Sequence, residues 1–169
     1  LEENFGSESE YLGFLRDSPS AAQRLCHILS NSRFLGDALN KSVESVTWLG
    51  NDESLQPRSR ESLNIQTKAT LERNAGNIND FANSIRAMRR HEIERIGLAW
   101  MSGVIDDEAS LAGMTDVYDA AIEASLQWSI RHRINDMQLE QAPAAIAIIG
   151  MGRYGGKEVN FSSDDDVII

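Results

Sequence analysis

Residues 143 to 169 constrain the fold of this chain more tightly than any other stretch. A short apolar run, Ala144-Ala145-Ile146-Ala147-Ile148-Ile149, lies between Pro143 and Gly150 and reads as a buried strand. Gly150, Gly152, Gly155 and Gly156 then fall within seven positions, and three consecutive acids occupy positions 164 to 166. A second strand is expected from Asp164 to Ile169, acidic in its first half and apolar in its second. Side chains alternate along a strand, so Asp164 and Asp166 share one face and Asp165 takes the other. Two like charges on one face call for a cation between them. Mg²⁺ favours hard oxygen ligands of this kind and bridges carboxylates to nucleotide phosphates. Glycines beside the acids let backbone N–H groups approach a phosphate with no Cβ in the way.

Gly150-Met151-Gly152-Arg153-Tyr154-Gly155 also fits the G-x-G-x-x-G pattern of dinucleotide-binding folds. That pattern needs a helix of several turns after the glycines and an acid at the end of the next strand. Only eight residues separate Gly155 from Asp164, among them the turn formers Asn160, Ser162 and Ser163. The acids also stand at the start of the next strand. Taken alone, the acidic triplet would read as a solvated turn. With the glycines and two apolar flanks, the pattern Gly152, eleven residues, Asp164, one residue, Asp166 resembles that of the DNA polymerase β-like nucleotidyltransferase fold.

The first ~140 residues read as successive amphipathic helices. Ser18-Pro19 marks a helix start, with Ala22, Leu25, Cys26 and Leu29 on one face. Phe34, Leu35, Ala38 and Leu39 continue the pattern. Ser42 is expected to cap a short helix carrying Val43, Val46 and Leu49, and Pro57 to open one with Leu63, Thr67 and Leu71 in line. Asn79 is the expected cap of a long helix bearing Phe81, Ile85, Met88, Ile96 and Ala99, broken by Gly103 and Asp106-Asp107. Thr115 is the expected cap of the last, bearing Val117, Ala121, Ala124 and Trp128 and ending near Asn135. The fold class is therefore α+β, in two parts: a helical region over 1–142, and over 143–169 the first strand-turn-strand of the nucleotidyltransferase fold, truncated.

The formal net charge of −10 argues against a nucleic-acid partner, which requires a cationic surface. No run approaches the ~18 apolar residues of a membrane span, and no signal peptide is visible. The single cysteine, Cys26, excludes an internal disulfide and fits a reducing, cytoplasmic compartment; its expected place is an apolar helix face. The start at Leu1 and the apolar end at Val167-Ile168-Ile169 read as boundaries within a longer protein.

Ile148 to Ile168, with its strand, its Gly-x-Gly-basic-aromatic-Gly-Gly turn and its Ser-Ser-Asp-Asp-Asp-Val sequence, resembles the signature of the glutamine synthetase adenylyltransferase family. Arg24 to Leu39 resembles the helix pair before that family's catalytic core, and Arg86 to Ile96 resembles its Arg-rich helix. The resemblance implies a regulator of nitrogen metabolism, a multifunctional enzyme with two copies of this unit. One copy adds AMP from ATP to glutamine synthetase, and the other removes it by phosphorolysis. Leu55-Gln56-Pro57-Arg58 and the Gly-Met-Gly-Arg-Tyr-Gly-Gly wording look more like the adenylylating copy, which is favoured, whereas Asn160 to Ser163 is closer to the removing copy. ATP would lie across the glycine turn, against Gly152, Arg153, Gly155, Gly156 and Ser163. Asp164 and Asp166 would be the catalytic acids and metal ligands, holding Mg²⁺ against the phosphates while a tyrosine of glutamine synthetase attacks the α-phosphorus. The family implies a third carboxylate beyond Ile169, so the segment alone is expected to be inactive. It also implies glutamine and the PII signalling protein as effectors, with no residue assigned to either.

Lys157 could reach phosphate and Glu158 could hold the turn. Arg86, Arg89, Arg90, His91 and Arg95 read as a charged helix surface with Glu92 and Glu94 as partners. His27, His91 and His132 lack metal-ligand spacing, and Arg131-His132-Arg133 reads as an exposed helix end. A helical regulatory module with no catalysis of its own is the competing reading.

Overall fold

The structure, a computed structural model, describes residues 8–169 apart from 43 and 165, with side chains from residue 12. Val43 and Asp165, expected on the short helix and on the far strand face, lie outside the described residues. The described chain is mostly helical with one small antiparallel sheet near its C-terminal end. It forms two compact units. One reaches to Pro57 and includes Glu94–Ser110, and the other comprises Arg58–Ile93 and Leu111–Ile169.

The first unit contains α1 (Glu8–Asp17), α2 (Pro19–Asn31), α3 (Arg33–Lys41), α4 (Glu44–Trp48) and α5 (Asp52–Leu55). To these it adds the last part of α7 (Ile78–Met101) and the start of α8 (Asp107–Asp136). Its core gathers Ala21, Leu25, Ile28, Leu35, Leu39, Val46, Leu49, Leu55, Leu98 and Ala99. Full burial of each large aliphatic side chain contributes about 1.5–3 kcal/mol, so this cluster dominates the unit's stability. Pro19 stands at the first turn of α2 as expected, but Ser18 makes no side-chain cap bond. The buried face of α2 is Ala21, Leu25 and Ile28, not the expected one: Ala22 is half-buried, and Cys26 and Leu29 are exposed. Apolar residues sit on two adjoining faces of α2, and its packing partners cover only one. Phe34 is likewise exposed. Ser32 and Asn51 cap α3 and α5 by accepting from the amides of Leu35 and Glu53.

The second unit contains α6 (Arg60–Arg73), α7 up to Ile93 and α8 from Leu111. Leu63, Thr67, Leu71, Phe81, Ile85, Met88, Val117, Ala121, Ala124 and Trp128 are buried, as their spacing predicts. The caps differ. Ser59, two residues past Pro57, caps α6. Asn77 rather than Asn79 caps α7, its Oδ1 accepting from the amides of Asn79 and Asp80. Asp106, expected only to break a helix, caps α8 by accepting from the Ala109 amide. Thr115 is therefore interior to α8, its hydroxyl donating to the Leu111 carbonyl. Gly103 does end the preceding stretch, with φ at +69°. Arg131, His132 and Arg133 are exposed, with His132 stacked on Trp128 at 4.8 Å.

The strands are shorter than expected. β1 is Ile149–Gly150 and β2 is Val167–Ile168, paired Ile149 to Ile168 and Gly150 to Val167. Ile146, Ile149 and Ile168 are exposed, which corrects the reading of residues 144–149 as buried. A two-stranded ribbon cannot cover both of its own faces.

Candidate functional site

The glycine segment folds into one helical turn, α9 (Gly152–Gly155), set directly after β1. Here the backbone demands glycine. Gly152 has φ of +53°, in the left-handed region costly for other residues. A Cβ on Gly155 would lie 2.3 Å from the Gly150 carbonyl oxygen, so turn and strand approach more closely than any side chain allows. Gly150 faces the Tyr154 ring, which a Cβ would meet at 3.0 Å. Among the described residues no helix of several turns follows α9, whereas the dinucleotide-binding pattern needs one.

One of the acids, Asp166, meets this turn through the sheet. The Met151 amide donates to the Asp166 carbonyl at 2.8 Å, extending the β1–β2 pairing by one step. That register sets Asp166 beside Gly152: a Cβ there would stand 3.7 Å from Asp166 Oδ2. Asp164 and Asp166 are both exposed and lie outside any helix, and Asp164 precedes the paired residues of β2. Arg153, Lys157, Gly155 and Gly156 are exposed as well. Lys157 has φ of +59°. Ser163 is half-buried and ties the 160–163 turn: its hydroxyl accepts from the Asn160 amide at 3.0 Å and donates to Asn160 Oδ1 at 3.1 Å.

The donor set fits a hard divalent cation. Two exposed carboxylates on one short segment, with waters and phosphate oxygens completing the shell, are what Mg²⁺ uses. Among the described residues no group of three or more His, Cys, Asp or Glu side chains converges, so the described protein groups do not form a closed cage.

Tyr154 carries no sequence signal beyond its place in the glycine turn. It is buried, and its hydroxyl donates to Asp119 Oδ1 at 2.5 Å, while Arg60 Nη1 lies 2.9 Å from Asp119 Oδ2. Arg60 also pairs with Glu123 at 2.9 Å and thereby ties α6 to α8. Only the aromatic side chain at the centre of a Gly-x-x-Gly turn could have hinted at this.

The Arg-rich helix departs from its expected surface role. Glu92 and Glu94 are buried. In the second unit, Glu92 pairs with Arg58 at 3.3 Å and Arg89 lies over the Tyr118 ring at 5.4 Å. In the first, Arg95 stacks on Trp48 at 3.9 Å and donates to the Ser54 carbonyl, and Glu94 is hydrogen-bonded to Ser45. Burial pushes the Glu94 carboxyl above its ordinary range; the Ser45 hydrogen bond and the Arg95 charge pull it back by less. Arg86 and Arg90 are exposed.

No helix among the described residues is long and apolar enough to cross a membrane. No solved structure matches the chain. Among named relatives, the chain is 72% identical over its whole length to a bifunctional glutamine synthetase adenylyltransferase/adenylyl-removing enzyme of Bifidobacterium longum. Proteins of the same name from Leifsonia xyli and Mycobacterium tuberculosis are 36% and 35% identical over 99% of the chain. The chain spans only 16% of the length of the first two and 17% of the third. The family model for glutamate-ammonia ligase adenylyltransferase matches residues 22–169, and the chain belongs to that family.

Proposed function

We propose that this chain is part of a nucleotidyltransferase that moves AMP from ATP to a tyrosine of glutamine synthetase, and that residues 143–169 begin its catalytic domain. The observation that carries the reading is the Met151 amide bond to the Asp166 carbonyl, which sets an exposed carboxylate against the glycine turn. Gly152, Gly155 and Gly156 offer a surface free of side chains on which phosphate oxygens can approach backbone amides. Arg153 adds positive charge at that edge, and Ser163 fixes the loop that leads into the acids. Asp164 and Asp166 would hold Mg²⁺, which when bound neutralises phosphate charge as pyrophosphate departs. The chain's own contribution is positioning and electrostatic complementarity. Glutamine and the PII protein belong to the proposal as effectors of the whole enzyme.

The names of the relatives pair an adding with a removing activity, so the opposite direction, phosphorolytic removal of AMP, is the second reading. The full-length gene product with Asp164→Asn and Asp166→Asn should lose transfer by at least about 100-fold, since metal-held charge stabilisation is worth several kcal/mol. AMP transfer to glutamine synthetase and its phosphorolytic removal are to be measured side by side, and whichever activity disappears identifies the direction. Retention of both at wild-type rates would overturn the proposal.

A further inference from the structure

Resting on the nucleotidyl-transfer reading above, we infer that Tyr154, Asp119 and Arg60 form a positioning relay that fixes the glycine turn for nucleotide binding. Asp119 lies on α8 and Arg60 on α6, 35 and 94 residues from Tyr154 in sequence, yet the three side chains form one continuous chain of contacts. Tyr154 is the only residue of Gly152–Gly155 that is buried, so its side chain is the turn's anchor.

The anchor is held at three points. The ring lies against Gly150, where even a methyl group would touch it. The hydroxyl donates to a carboxylate at 2.5 Å, a short, charge-assisted bond. That carboxylate is held in turn by a guanidinium whose other end is fixed by Glu123. A shift of the Tyr154 backbone carries Gly152 and Gly155 with it, because all three lie in a single turn that closes with the Gly155 amide on the Met151 carbonyl and the Gly156 amide on the Gly152 carbonyl. Gly152 is also the residue beside Asp166. The relay thus sets where the turn's amides stand relative to the acid. None of its three side chains is required to touch the nucleotide, so they are positioning residues.

The test uses the full-length gene product with Tyr154→Phe, Asp119→Asn and the double variant, and Asp164→Asn as reference. Phe keeps the ring and removes only the donor; Asn keeps an acceptor and removes the charge. The expected result is a rise in nucleotide KM of about tenfold in each single variant, within the range for losing an outer partner of a site. The double variant should be no worse than the worse single, because both break one link. Hydrogen exchange in a peptide covering 150–160 should quicken, while peptides from α2 and α3 keep wild-type exchange. A loss of folded protein would instead lower kcat at constant KM, which would overturn the inference, as would unchanged KM and unchanged exchange in Tyr154→Phe. The reference separates the two levels. If Asp164→Asn abolishes turnover while Tyr154→Phe is silent, the relay alone fails; if Asp164→Asn retains wild-type turnover, the nucleotide reading fails and takes the relay's role with it.

Discussion

Replacing Gly155 by Ala tests how closely the turn and strand β1 approach. The added Cβ would stand 2.3 Å from the Gly150 oxygen and 2.8 Å from the Gly150 carbon, against 3.4–4 Å for ordinary contact. Both obstacles are backbone, so no side chain can swing aside, and relief needs a shift of roughly 1 Å. Overpacking of this kind costs about 1–3 kcal/mol, and the shift also strains the Gly155–Met151 and Met151–Asp166 bonds, each worth about 1 kcal/mol. The expected local cost is about 3 kcal/mol, or roughly 100-fold in the population of the open turn. Gly156→Ala is the control, since its nearest contact is 3.4 Å and its backbone is right-handed helical. It should be nearly neutral, because Ala also reduces the freedom of the unfolded chain. Gly152→Ala falls between them: the space is open to 3.7 Å, but φ of +53° costs about 1 kcal/mol. Amide exchange of residues 155 and 156 reads the series. Equal exchange in the Gly155→Ala and Gly156→Ala variants would refute the close-approach argument.

Glu94→Gln should flatten the dependence of stability on pH. Burial raises the folded-state affinity of Glu94 for its proton, so its contribution is full below the ordinary carboxylate range and is lost as pH rises from there through the raised folded-state value. Urea unfolding from about pH 4 to pH 7 should show wild type losing more stability than the variant; parallel curves would count against an elevated Glu94. Lys157→Gly should stabilise the turn by about 0.5–1 kcal/mol, relieving a left-handed backbone at some entropic cost. Nucleotide affinity measured on the same variant shows whether the Lys157 side chain also meets phosphate: a fall with a firmer turn assigns it that contact.

What could be read from sequence follows the range of the interactions. Periodicity found the buried positions of α6, α7 and α8, because a long helix repeats its stripe many times. On α2 the same reasoning chose the wrong side, since Ala22, Cys26 and Leu29 are as apolar as the face that packs. Caps went astray where candidates crowd together, as with Asn77 and Asn79, because the outcome depends on which side chain can reach the free amides. The glycine turn was legible from composition alone. The 35-residue step from Tyr154 to Asp119 was not, and neither was the burial of Glu92 and Glu94, whose partners come from distant segments. Strand lengths were overestimated because apolar runs carry no information about how many neighbours are present to pair.

The first unit's dependence on Glu94–Ser110 bears on how the chain is made. Leu98 and Ala99 belong to the same core as Ala21 and Leu25, so the N-terminal helices cannot close that core until a stretch synthesised roughly 70 residues later has left the ribosome. At about 5–20 residues per second, the nascent segment waits several seconds with apolar faces uncovered. The intervening α6 and the first half of α7 emerge during that wait, so neither unit is finished in order of translation, and no single cut in the polypeptide would release both intact.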